Sequence, residues 1–290
     1  MSVQTHPQVN RDLRLAARQG LLPARGSGWL TGFGNMLSKE LGEWFRTRRW
    51  LWQLLIWVIL INGFVLFILF IVPLMEPIMP GFNAALEQPY AGLPPGSMGL
   101  SYFFTIAVMA SSIGVIILAQ DEVIQEKQSG TAAWILSKPA SRPAFILTKL
   151  LSNVIGALVF LVAIPALVAL GEIYLDIHQG VPLLPFLAGL GMVMLTLIFY
   201  ISLVIMLGVL SESRGPVMGV AFGIVLGGML FSNLIPYIAY VLPVTMDKVA
   251  MLLAIGMPLP AMFVAQVIST TVLSILFILV ALWRFQRKEF

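Results

Sequence analysis

Residues Leu51–Met75 read LWQLLIWVILINGFVLFILFIVPLM, a run without one charged side chain. A helix needs about 20 apolar residues to cross the hydrocarbon layer of a bilayer. A central Arg costs roughly 3 kcal/mol on insertion while a Leu returns only about 0.5 kcal/mol, so one charge offsets about six leucines. The same test finds five further runs, at residues 98–119, 146–170, 183–210, 217–235 and 261–283. Lys149 is the one charge inside these limits, and it is expected to snorkel from a position one turn inside a helix end. Composition agrees. Hydrophobic residues make up 59% of the 290 positions and charged residues 10%, with a mean hydropathy of +0.95. A soluble domain carries about a quarter charged residues. The expected fold class is all-α, a polytopic membrane protein with six transmembrane helices.

The placement of Lys and Arg sets the expected orientation. Of 17 such residues, all but Lys149 and Lys248 fall before the first run, between the second and third, between the fourth and fifth, or after the sixth, and Lys149 sits at the end of the third run next to that same side. Basic residues in short loops stay cytoplasmic, so both termini are expected in the cytoplasm and the membrane is expected to be the plasma (inner) membrane. The net charge of +4 therefore points to lipid, not to nucleic acid. Residues 1–28 read as a disordered basic tail. Residues 29–49 place Leu30, Phe33, Leu37, Leu41, Trp44 and Phe45 on one helical side, opposite Asn35, Lys39, Glu43 and Arg46. That pattern predicts an amphipathic helix lying in the interface, with Trp44, Trp50 and Trp52 at headgroup depth. Residues 50–290 then form the six-helix domain. Before its last span, Pro236–Pro260 is apolar but cut by four prolines. It is expected to form one or two short re-entrant helices, sheltered by protein because lipid satisfies no exposed backbone.

Several chemistries lack their residues. The chain has no cysteine, and its histidines, His6 and His178, are far apart, so no metal site is expected. Scattered methionines such as Met75, Met79 and Met246 form no tight cluster for a soft metal. No nucleotide-binding P-loop and no H-E-x-x-H occur. The polar side chains within the apolar runs, Asn62, Asn153, Asn233 and Gln266, are neutral, unlike the buried ionisable groups of ion-driven carriers. No catalytic residue and no cofactor are expected in this chain. Gly215, Gly219, Gly223 and Gly227 recur every fourth residue, a bare face that lets helix backbones approach closely in lipid, within the chain or across a dimer.

The 26-residue loop 120–145 reads QDEVIQEKQSGTAAWILSKPASRPAF. Asp121, Glu122 and Glu126 extend the second helix as an acidic strip. Gly130 permits a turn, and Thr131 can cap a short helix, Ala132–Lys138, bearing Trp134, Ile135 and Leu136. Pro139 ends that helix, and Ser141 caps the next, with Pro143 in its first turn. A stiff knob of this kind can carry force from a soluble partner into membrane helices.

At Glu126, Gly130, Thr131, Ser137, Pro139, Ser141, Arg142 and Lys149 the loop resembles the type-2 permeases of ATP-binding-cassette (ABC) transporters. The interfacial helix, the proline-broken outer segment and the basic terminus WRFQRKEF resemble the same family, so the likeness covers about Trp29 to Phe290. It implies a half-size permease that forms a homodimer or heterodimer with a related chain and binds two copies of an ABC ATPase, which hold the ATP and Mg. The coupling loop and the interfacial helix (Lys39, Glu43, Arg46) would touch that ATPase. Two other classes stay open: a non-transporting ABC-type factor for maturation or secretion of another protein, and an ion-gradient-driven carrier.

Overall fold

In the computed structural model, residues 28–46, 48–129, 140–232, 234–235 and 237–287 are described. Their regular structure is all helical, without strands. Six helices are long and apolar enough to cross a membrane, which makes the chain a multi-pass membrane protein. The order is α1 (Phe33–Phe45), α2 (Trp50–Leu74), α3 (Phe82–Glu87), α4 (Ser97–Gln128), α5 (Arg142–Ile177), α6 (Leu183–Leu210), α7 (Arg214–Phe231), α8 (Ile238–Val241), α9 (Met246–Ala254) and α10 (Phe263–Gln286). The spans α2, α4, α5, α6, α7 and α10 match the six apolar runs, but α4 and α5 are longer than expected. The extra turns are carried by protein contacts that hydropathy does not register.

The most buried span is α6, which touches α4, α5, α7, α9 and α10; α7 and α10 are the most exposed. Phe103 and Phe104 of α4 meet Phe186 of α6 with ring centroids 5.7–5.9 Å apart, an offset geometry that favours aromatic pairs. Gly189 of α6 sits where a Cβ would lie 2.6 Å from the Ala250 carbonyl oxygen, so its missing side chain lets α9 press its backbone onto α6.

Two spans depart from α geometry. Phe67–Ile71 and Ala157–Ala163 are π-helical, and each ends two residues before a proline, Pro73 and Pro165. A proline ring clashes with the carbonyl four residues back and leaves it without an N–H donor. Widening to the i→i+5 register relieves the clash. For Pro165 that carbonyl belongs to Leu161, and the Ser111 hydroxyl of α4 donates to it at 3.2 Å, the satisfaction that lipid would not supply.

The segment before α10 forms two short helices, α8 and α9, as expected. Met246, Val249, Ala250 and Ala254 turn inward against α4 and α6. Gln266, fully buried in α10, donates to the Leu242 carbonyl at 3.0 Å and the Thr245 hydroxyl at 3.1 Å, and Ser269 donates to the Tyr240 carbonyl at 2.7 Å. Gln266→Leu is therefore expected to cost about 1–3 kcal/mol and to speed amide exchange across residues 237–254 without altering exchange in α6.

Candidate functional site

At the end where α1, the end of α4 and the start of α5 converge, the membrane-spanning core opens into a cavity of about 690 Å³. Local sequence sets its frame. Ser141 caps α5, accepting from the Ala144 N–H at 3.2 Å with Pro143 in the first turn, as expected. The same residue anchors the chain before α1: its N–H donates to the Thr31 carbonyl at 2.9 Å and its hydroxyl to the Trp29 carbonyl at 2.5 Å. The Arg142 guanidinium donates to the Gln286 carbonyl, while Phe145 stacks on Phe285 with centroids 5.0 Å apart. The start of α5 thus holds both the N-terminal helix and the end of the last span.

The acidic strip does not run straight. The helix breaks at Gln120–Asp121 and resumes at Glu122, which aims the three carboxylates at different partners. Asp121 pairs with Arg214 of α7 at 2.6 Å. Glu122 accepts from the Asn153 amide of α5 at 2.7 Å. Glu126 meets Lys149 of α5 at 3.2 Å and Lys39 of α1 at 2.8 Å. Beyond them, Lys127 donates to the Ser211 carbonyl at 2.5 Å and Gln128 to the Glu212 carbonyl at 2.9 Å, so the end of α4 also grips the α6–α7 turn.

Lys149 does not snorkel. Its side chain is only 3% exposed and lies two turns inside α5, held by Glu126 and, at 3.1 Å, by Glu40 of α1. Sequence reading missed Glu40 altogether. The signal was available: a carboxylate at i+4 from Met36 and i−4 from Trp44 sits on the inward side of an amphipathic helix. Trp44 likewise points inward, not to headgroup depth. It stacks on Phe160, centroids 5.8 Å apart, above Gly156, where a Cβ would lie 2.4 Å from the indole. Trp50 and Trp52 stay exposed. So α1 is a docked helix whose inner face reads Met36, Glu40, Trp44, and its outer face carries Lys39, Glu43 and Arg46. Lys39 and Glu43 line the cavity; Arg46 does not.

Around the cavity, five carboxylates (Glu40, Glu43, Asp121, Glu122, Glu126) face two ammonium groups (Lys39, Lys149) and the Arg214 guanidinium. Burial opposes the charge on Lys39, but its hydrogen bond with Glu126 and the fields of Glu126 and Glu40 prevail and hold its amine above the usual 10.5. A raised lysine stabilises the fold at every pH below its unfolded value, and that contribution fades only as pH climbs through the folded value. The docking of α1 through Lys39 is therefore flat across the neutral range.

The remaining expected residues separate into three groups. Gly130, Thr131, Trp134, Ile135, Leu136 and Pro139 lie outside the described residues, as does Asn233. Arg142 is a structural tie between helix ends. The glycine stripe is bare: a Cβ at Gly215, Gly219 or Gly223 meets nothing within 4 Å, and one at Gly227 meets only Phe231 of its own helix. Among the described residues, no other helix packs within 4 Å of a Cβ on this face. The glycine of α7 that does pack is Gly228, beneath Val244 of the outer segment.

No curated protein matches the chain. A family model described as protein of unknown function (DUF2705) matches residues 84–290, which takes in Glu122, Glu126 and Lys149 while Lys39, Glu40 and Glu43 precede it. With more than two thirds of its length inside that match, the chain belongs to the DUF2705 family.

Proposed function

We propose that the chain is the membrane-spanning permease subunit of an ABC transporter, exporting a substrate across the plasma membrane with ATP and Mg bound by a separate ATPase. The observation that carries this reading is the buried ionic node, in which Lys149 of α5 holds Glu40 of α1 and Glu126 of α4 within 3.2 Å. The node sits at the root of loop 130–139, the segment expected to meet the ATPase. Two strands of force transfer, α1 and the loop, thus converge on one rigid junction. A buried pair of this kind breaks only at a cost of several kcal/mol, so displacement of the loop is passed on to the spans instead of being absorbed.

Both termini lie in the cytoplasm under this reading, and a second copy or a related permease covers the bare face of α7. Gly219→Leu and Gly223→Leu are expected to leave the unfolding temperature of the chain unchanged, because the added side chains enter open space. They should weaken self-association in nanodiscs at least about tenfold, as steric loss of a close glycine contact does; equal self-association in both variants would place the partner elsewhere.

The test is capture of an ABC ATPase by the tagged full chain from its host membranes, followed by reconstitution of the two together. The chain alone is expected to hydrolyse no ATP, and the complex to hydrolyse ATP in vesicles. Glu126→Gln should leave the complex assembled but lower membrane-coupled hydrolysis at least about tenfold, the range of ordinary site-to-site coupling. Capture of no ABC ATPase, or flux that persists without ATP and collapses with a protonophore, rules the permease reading out.

A further inference from the structure

Far from the ionic node, a second and smaller cavity of about 60 Å³ lies where α4, α6 and α7 meet the outer segment. By the measure in which a water occupies about 10–15 Å³, it holds a small headgroup and no more. Its walls are largely apolar, from Val108, Met109, Val225, Met229 and Val244. Among the described lining residues, Asp247, at the start of α9, supplies the only charge; Lys248, next in sequence, is exposed and is not part of the lining. The Thr105 hydroxyl of α4 donates to the Asp247 carboxylate at 3.3 Å and so orients it. Tyr200 of α6, itself 3% exposed, lines the same space.

Two observations mark this pocket as unfinished. Ser112, a residue 2% exposed, lines the cavity, and its hydroxyl has no hydrogen-bond partner among the described residues. A buried hydroxyl left unpaired is costly and calls for an explanation. The Asp247 carboxyl is also pushed above its ordinary range, by burial first, with the Lys248 N–H and charge and the Thr105 hydroxyl opposing the shift. Burial thus disfavours the carboxylate charge, which a bound cation would stabilise.

We infer that the pocket formed by Asp247, Thr105, Ser112 and Tyr200 binds the ammonium head of an amphipathic organic cation. Carboxylate and hydroxyl oxygens accept from the ammonium, Tyr200 supplies an aromatic wall beside the cation, and the alkyl chain, for which the pocket has no room, stays outside it. A hard divalent metal ion does not fit, since it wants six or more oxygens and the pocket holds a single carboxylate. That such a cation is cargo rests on the permease reading; that it binds does not.

The test uses the full chain in nanodiscs, with radiolabelled n-octylammonium as probe, n-octanol and octanoate as neutral and anionic isosteres, and empty nanodiscs subtracted. Octylammonium is expected to bind saturably and neither isostere to do so. Asp247→Asn should weaken binding at least about tenfold, the usual loss for a charged hydrogen bond, while Asp247→Glu keeps most of it. Ser112→Ala, which removes only the unpaired hydroxyl, should weaken binding a few-fold without lowering stability, and it carries the test should Asp247→Asn fold poorly. Octanol binding equal to octylammonium, or no saturable binding of octylammonium by the intact chain, overturns the site. ATP-driven flux without octylammonium binding overturns the site alone, and binding without any ATP-driven flux overturns the permease reading alone.

Discussion

Lys149→Met is expected to undock α1 from the bundle while leaving the six spans in place. The substitution keeps the length of the side chain and removes the ammonium that Glu40 and Glu126 share. Glu40, 7% exposed, is then left beside Glu126 with only Lys39 as counter-charge. Removing one partner of a buried ion pair costs about 3–5 kcal/mol, mostly through the charge left behind. Lys39→Met removes a cation that is nearly half exposed and should cost under about 1 kcal/mol, since water screens and replaces it. The contrast between these lysines isolates burial from charge count. The double variant Lys149→Met/Glu40→Met is expected to recover most of the loss, because matched apolar replacement of a buried pair is often neutral. Thermal unfolding in detergent reads the energies, and limited proteolysis between residues 28 and 46 reads the release of α1. A single-variant cost below 1 kcal/mol would show that the node is ornamental to the fold and useless as a junction.

The second large effect needs no charge at all. Gly156→Leu places a Cβ 2.4 Å from the Trp44 indole, at the ring atoms themselves. The ring lies flat on α5, over Gly156 and stacked on Phe160 of the same helix, so a side chain at 156 pushes α1 off α5. Overpacking of this kind costs about 1–3 kcal/mol. Because the chain has no cysteine, a reporter is easily built. With Met36→Cys placed in the α1–α5 seam and Gly34→Cys on the exposed side, thiol labelling at 36 should be slow in the parent and fast with Gly156→Leu. Labelling at 34 should be fast in both. Should both disruptions of the seam leave ATPase coupling intact in the reconstituted complex, α1 would be an anchor and the loop the sole transmitter.

The glycines show how sequence and structure divide the labour. Gly156 and Gly228 belong to no pattern in the sequence, yet each receives a neighbour's side chain. Gly215, Gly219 and Gly223 make the conspicuous pattern and touch nothing. Periodicity finds a face that could be approached; only the positions of the other helices decide which face is. The π segments are similar. Pro73 and Pro165 announce a disturbed register from the sequence, but the donor that compensates one of them, Ser111, comes from another span.

The sequence by itself determined six spans, the grouping of basic segments at one end, the Ser141 cap and the broken outer segment. These depend on hydropathy over one helix length or on contacts within one turn, so they are written locally. Tertiary structure decided the partners of Lys149, the inward turn of Glu40 and Trp44, and the isolation of Asp247 in a small pocket. Glu40 and Lys149 are 109 residues apart. Their meeting depends on the angle at which α1 crosses α5, an outcome of many packed side chains that no single stretch encodes.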